Sequence, residues 1–287
     1  MIAFASNSIL CRAALRDTVI DAASFTFIRI FSGAVALWLI VAIRSSTSSV
    51  ADRQISGSGA HRAPLQGNWP SAFALFVYAA AFSFAYNTLA AGTGALLLFG
   101  AVQATMIFWG LSRGERLRAL QIVGLILAVT GLIVLVSPGI TAPPLVGSIL
   151  MLSAGIAWGV YSIRGKVRAG LAFDAIAATT GNFLRAVPFA ALVSVIAIRQ
   201  MHLNSLGVIY AVISGAITSG LGYVIWYTVL PQIKATSAAV VQLSAPVLVA
   251  TGGILLLAEP ITLRYVTASI AVLGGIFLVV IEKEQRS

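Results

Sequence analysis

Charge is what this chain has least of. Asp, Glu, Lys and Arg make up only 9% of its 287 residues, against about 25% in a soluble domain, so water is not its main solvent. Acidic groups are scarcest. All eight (Asp17, Asp21, Asp52, Glu115, Asp174, Glu259, Glu282 and Glu284) fall in loops, tails or helix ends, as do His61 and His202. The apolar stretches therefore hold no His/Glu metal cluster, no Asp pair and no Ser/His couple, which argues against an intramembrane enzyme or a bound cofactor. The single cysteine, Cys11, excludes an intrachain disulfide and any cysteine-built metal site. The chain also begins without a basic n-region, so its first residues read as a short first span rather than a cleaved signal.

Apolar residues take the place of charge. They account for 59% of the chain, and mean hydropathy is +1.00. A helix crossing the roughly 30 Å hydrocarbon core needs about 20 apolar residues, because lipid satisfies no backbone polar group. Residues 63–112, 119–163, 200–233, 235–258 and 265–281 contain no charged side chain. Breakers such as Ser137-Pro138-Gly139 and Pro143-Pro144 divide the apolar sequence further. Ten spans are predicted, at about 2–14, 22–43, 70–89, 93–112, 119–136, 145–163, 173–198, 205–230, 235–258 and 263–281. The Ser- and Gly-rich stretch 44–68 reads as a flexible loop.

The net charge of +10 would suggest nucleic acid in a soluble protein. Here it encodes direction instead. With the N-terminus inside, twelve Lys and Arg residues fall on the cytoplasmic side and four outside, which places both termini in the cytoplasm by the positive-inside rule. Trp38, Trp69, Trp109, Trp158 and Trp226 all fall in the cytoplasmic half, where an interfacial belt favours them.

The sequence repeats itself. Phe27-Ile28-Arg29 returns as Phe183-Leu184-Arg185 after 156 positions, and Glu115 returns as Glu259 after 144. Ala95, Ala101 and Gly131 meet Ala239, Ala245 and Gly275 at that second offset. Residues 1–137 and 145–287 thus each hold five spans, an odd number, so the halves enter the membrane in opposite directions. The fold class expected is an all-α membrane protein, ten transmembrane helices in two inverted five-helix repeats. Such repeats are common in secondary transporters, which bind substrate at the repeat interface.

Ala235-Thr236-Ser237-Ala238-Ala239-Val240-Val241-Gln242-Leu243-Ser244-Ala245-Pro246-Val247, followed by Ala258-Glu259-Pro260-Ile261, resembles the ninth-helix signature of EamA-type members of the drug/metabolite transporter superfamily. Gly155-Ile156-Ala157-Trp158-Gly159 resembles the opening of that family's sixth helix. The resemblance spans essentially the whole chain. It implies metabolite transport across a bacterial cytoplasmic membrane, often amino-acid export, and within the family it lies nearest the aromatic amino-acid exporters. Export of cationic drugs and channel-like facilitation are the alternatives, although filter loops and charge rings are missing. Val102 stands where the second half has Pro246, which implies that the halves are not functionally equivalent.

Candidate site residues follow. Arg29 and Arg185 are the only charges placed at mid-helix, at a cost of about 2.5–3.5 kcal/mol each on insertion scales. Each either pairs with a substrate carboxylate or satisfies nearby carbonyls. Tyr78 lies near mid-membrane; Gln103, Gln242 and Ser244 lie deep in spans four and nine, beside Pro246, where a proline frees a backbone carbonyl. Tyr223, Trp226 and Tyr227 form a stripe on span eight, Trp158 and Tyr161 a shorter one on span six, and Asn7 is polar within span one. These either line a site or serve as interfacial belt and helix–helix contacts. Glu115 and Glu259 are expected to favour the start of the following helix through its dipole. Small residues at 124, 128, 131, 268, 271 and 275 point to close packing of spans five and ten, or to a weak homodimer contact. The partners expected are a small-molecule substrate and the lipid bilayer, with the protein a monomer or weak homodimer. Proton-driven carriers keep a carboxylate or histidine in the membrane, so coupling through a buried carboxylate is disfavoured.

Overall fold

In the computed structural model, the described residues are 1–56, 66–114, 116–140, 142–168, 174–229 and 235–284. Ten helices occur among them, one in each predicted span, besides a short 3-10 turn at Ile198–Gln200. They are α1 (Ile2–Asp17), α2 (Ala22–Ser56), α3 (Trp69–Tyr86), α4 (Ala91–Ser112), α5 (Ala119–Val136), α6 (Leu145–Arg168) and α7 (Ala175–Ile196). A rod made of Ser205–Val212, Ile213–Leu221 and Gly222–Val229 is α8; α9 is Ala235–Leu257 and α10 is Leu263–Glu284. No strand occurs among the described residues. Eight of these helices are long and apolar enough to cross a membrane, with a shorter apolar stretch at Val241–Leu257.

Polar caps set the helix starts. Asn68 accepts the amide of Ser71 at the head of α3, Asp174 those of Ile176 and Ala177 at α7, and Asn204 those of Leu206 and Gly207 at α8. Each satisfies a donor that the first helical turn leaves unpaired. Two expectations are corrected. The loop expected from residue 44 begins later, because α2 continues to Ser56; the sequence there holds neither Pro nor Gly to stop it before Gly57. Glu259 does not serve the helix that follows it. It accepts the amide of Ala91 at 2.7 Å, capping α4, 168 positions earlier. Glu115 lies outside the described residues.

The small-residue stripes bring α5 and α10 together. A methyl group at Gly124 would strike the Gly275 carbonyl, and one at Gly275 the Gly124 carbonyl. Helix backbones approach this closely only across such residues. Around that pair, α3 and α4 pack on α6, α2 on α7, and α9 on both α1 and α4. The outer faces are apolar, with Ile126, Ile270, Leu255 and Leu256 exposed.

The middle of α8, Ile213–Leu221, is a π-helix. It rests against α1 and α2, and a side chain at Gly215 would collide with the Arg29 carbonyl and the Ser32 hydroxyl. Glycine is what allows this approach, and π segments concentrate at functional sites.

Candidate functional site

Arg29 is the centre of the molecule's polar interior. It is 3% exposed. Its Nη2 donates to the Tyr78 hydroxyl at 3.0 Å, and its guanidinium lies 4.8 Å from the Phe82 ring and 5.3 Å from that of Tyr78. A desolvated cation over a ring gains about 2 kcal/mol, and a hydrogen bond to a charged group about 1.5–3 kcal/mol. Together they offset the cost of burying the charge. They leave Nη1 over: it is one of two buried side-chain polar atoms without a partner among the described residues, the other being Ser269 Oγ. A donor in that position is set to receive an anionic oxygen.

Aromatic rings wall this centre. Trp158 on α6 lies 4.9 Å from Tyr78, 5.8 Å from Phe99 and 6.0 Å from Phe4. Phe4 also meets Tyr223 at 5.5 Å and Trp226 at 6.3 Å, both edge-on, and Tyr223 meets Phe183 at 6.0 Å. Trp158 is half-buried, with its ring packed on those of three other residues. Beside the rings, Asn7 Oδ1 accepts from the hydroxyls of Ser214 and Thr218, which ties α1 to the π segment. The arrangement offers one fixed cation, a hydroxyl, an amide and a wall of tilted and edge-on rings.

The other candidate residues lie elsewhere. Arg185 donates from Nη1 to the Gly181 carbonyl one turn back on α7, at 2.9 Å. Tyr161 accepts from Asn182 Nδ2 at 3.4 Å, and Asn182 Oδ1 in turn accepts the Asn68 amide. With Arg164, which reaches Ser71 Oγ and Asn68 Oδ1, they form a polar tie at one end of α3, α6 and α7. Gln103 faces a small apolar gap lined by Leu125, Ala128, Leu132 and Ile276, away from Arg29. The Ser244 hydroxyl turns onto its own helix, donating to the Val241 carbonyl at 2.6 Å. Pro246, within α9, is buried, and Gln242 half-buried. The Tyr227 side chain lies outside the described residues. Phe4, Phe82, Ser214 and Thr218 belong to the centre although nothing in their local sequence sets them apart.

At the opposite end from the Asn68 tie, Glu259 Oε1 pairs with Arg12 Nε at 3.1 Å. Arg12 Nη1 also donates to the Tyr86 and Asn87 carbonyls at the end of α3. Arg16 Nη1 donates to the Leu257 carbonyl at 2.5 Å. Outside this cluster lies a cleft of about 210 Å³, reached by Thr88, Thr93, Glu259 and Tyr265.

The EamA-like transporter family matches residues 145–281. An uncharacterized protein of Pseudomonas aeruginosa is 50% identical over 287 residues, covering 100% of this chain and 94% of its own. An uncharacterized transporter of Archaeoglobus fulgidus is 32% identical over 168 residues, 58% of this chain and 59% of its own. The uncharacterized transporter YoaV of Bacillus subtilis is 23% identical over 259 residues, 88% and 85% of the two chains. A solved crystal structure superposes with a TM-score of 0.60 at 18% identity, covering 97% of this chain and 94% of its own, which shows a shared fold.

Proposed function

Since the chain belongs to the EamA-like transporter family, and is a multi-pass membrane transporter rather than an enzyme, we propose that it exports small metabolites, above all amino acids with aromatic or apolar side chains. The observation that carries this is the free, buried Nη1 of Arg29 within a wall of aromatic rings. An α-carboxylate on Nη1 would complete the guanidinium's hydrogen bonds, with the side chain lying toward Trp158 and Phe4. A buried cation repels a cationic solute, which argues against export of organic cations.

The reading extends to mechanism: alternating access by two inverted halves, 1–137 and 145–287, in a bacterial cytoplasmic membrane with both termini inside. What supports the inverted relation is that it exchanges the packing partners. Helix α3 lies on α6 as α8 lies on α1; α3 on α7 as α8 on α2; α4 on α6 as α9 on α1. The pairs α2–α7, α4–α9 and α5–α10 map onto themselves.

Reconstitution in proteoliposomes tests the function. Saturable flux of phenylalanine or tryptophan is expected, persisting when the pH gradient is collapsed, because every acidic residue lies in a loop, a tail or a helix end. Linear, non-saturating conduction would make the protein a channel. Loss of uphill accumulation on adding a protonophore, with membrane potential clamped, would overturn the uncoupled mechanism.

A further inference from the structure

The Arg12–Glu259 pair has a construction that surface ion pairs lack. Its side chains are only 14% and 9% exposed, and each partner also holds backbone. Glu259 Oε2 caps α4 at Ala91, while Arg12 holds the last carbonyls of α3. One cluster therefore ties the α3–α4 turn and α1, from the first half, to the α9–α10 turn from the second. The backbone beside it is strained: Ala258 is the one non-glycine residue with positive φ among those described, at +50°. Alanine stays in that region only where its surroundings hold it. The cleft outside reaches Glu259, so the cluster stands between that cleft and the interior.

Helix α1 connects the cluster to the Arg29 centre. Phe4, Asn7 and Cys11 follow at i, i+3 and i+7 and so share a face, with Arg12 adjacent. Phe4 meets Trp158, Tyr223 and Trp226; Asn7 meets Ser214 and Thr218; Cys11 is wholly buried. A displacement of α1 at the centre moves Arg12 as well, because a helix transmits displacement along its axis.

We infer that Arg12, Glu259 and the Ala91 amide form the lock that seals one end of the transport path, and that α1 carries the substrate's arrival at Phe4 and Asn7 to it. This rests on the transport reading above. Opening that end separates Glu259 from Ala91 and Arg12 from Tyr86 and Asn87, parting the two halves there. A buried ion pair suits this role: it is costly to break by halves, since either partner alone is an uncompensated charge.

The single cysteine supplies the measurement. Alkylation of Cys11 by N-ethylmaleimide in the purified full-length protein, followed by mass spectrometry, is expected to be slow in the wild type. Glu259→Gln leaves Arg12 without its counter-charge and should speed alkylation about tenfold or more through local opening, with helicity and monodispersity retained. Saturating phenylalanine should change the wild-type rate and leave the Glu259→Gln rate unaltered. Should Glu259→Gln fail to fold, Arg12→Lys serves: it keeps the charge but cannot hold carboxylate and carbonyls with one fork, and alkylation should again exceed wild type. Alkylation at the wild-type rate in a folded variant overturns the lock. The assay requires no flux, so a flat result with flux intact condemns the lock alone, and faster alkylation in a protein with no flux condemns the transport reading alone.

Discussion

Arg29 and Arg185 sit in matching tripeptides, Phe27-Ile28-Arg29 and Phe183-Leu184-Arg185, yet they meet opposite ends. Arg185 is half-buried and folds back onto its own helix at Gly181. The Arg29 guanidinium instead lies against the rings of Tyr78 and Phe82 and donates to the Tyr78 hydroxyl, with one nitrogen free among the described residues. The tripeptide thus marks where an arginine stands, and the helices around it decide its work. On the α2 side these are α3, with Tyr78 and Phe82, and the close-packed π segment at Gly215. Under the proposed reading, one substrate site needs one such cation, and Arg185 instead bonds within its own helix.

That asymmetry breaks most sharply at the arginines themselves. Arg29→Met keeps an apolar stem of similar length and removes an unpaired buried charge, so detergent stability should hold or rise. Losing a buried charge partner for the carboxylate costs about 2–5 kcal/mol, so phenylalanine flux should fall by about 100-fold. Arg185→Met should change flux by less than about threefold, since its guanidinium bonds the Gly181 carbonyl of its own helix and, among the described residues, does not reach the Arg29 centre. Equal losses in the two variants, measured as initial rates in proteoliposomes, would erase the distinction between the halves.

Tyr78→Phe sharpens the same comparison on a smaller scale. It deletes the hydroxyl that Arg29 donates to and keeps the ring against Trp158. Half-saturation for phenylalanine should rise roughly two- to tenfold, the value of about 0.5–1.5 kcal/mol for one hydrogen bond, with maximal rate nearly unchanged. In an Arg29→Met background the same substitution should have no further effect, because the two groups act as one unit. Additive losses would mean that Tyr78 meets the substrate by itself.

The places where sequence reasoning succeeded and stopped have physical causes. Ten helices were legible, eight of them long and apolar enough to cross a membrane, because lipid imposes length and apolarity on each segment separately, so charge-free runs and breakers such as Pro138 and Pro143 suffice. Arg29 was legible because a charge in a span is conspicuous. The company it keeps was not. Phe4 is an ordinary apolar residue near the start of the chain, and its role comes from meeting Trp158 and Tyr223, which lie far away in sequence. Ser214 and Thr218 gain theirs from a π segment that no proline announces. Glu259 was legible as a helix-end acid, but the helix it caps is chosen by the packing of the two halves. Gln103 and Ser244 show the converse: polarity and depth are visible in a sequence, whereas the direction a side chain takes is not.

The smallest effect belongs to a second matched pair, Asp21 and Asp174, which stand just before α2 and α7. Asp174 caps its own helix at Ile176 and Ala177. Asp21 accepts the Ser24 amide at 2.9 Å and also reaches across to the His202 amide at 3.0 Å, joining the α1–α2 turn to the segment before α8. Burial pushes its carboxyl up, but donation by Ser24 and His202 outweighs that and holds it below the usual carboxylate value of 3.8. The sign follows directly: a carboxylate whose folded value is depressed stabilises the fold above its unfolded value and loses that contribution as pH falls through the folded one. Asp21→Asn keeps a capping side chain, so the cap itself costs little, but it removes the charge that favours both amides. At neutral pH the variant should melt slightly below wild type in detergent. As pH drops below 3.8 the gap should close, because the wild-type carboxyl takes up its proton and comes to resemble the amide. Asp174→Asn should not loosen the α1–α2 turn, whose closing contact it does not make. A gap that stays constant down to the acid limit would mean that Asp21 works through shape alone, and that the two aspartates differ in position but not in electrostatic role.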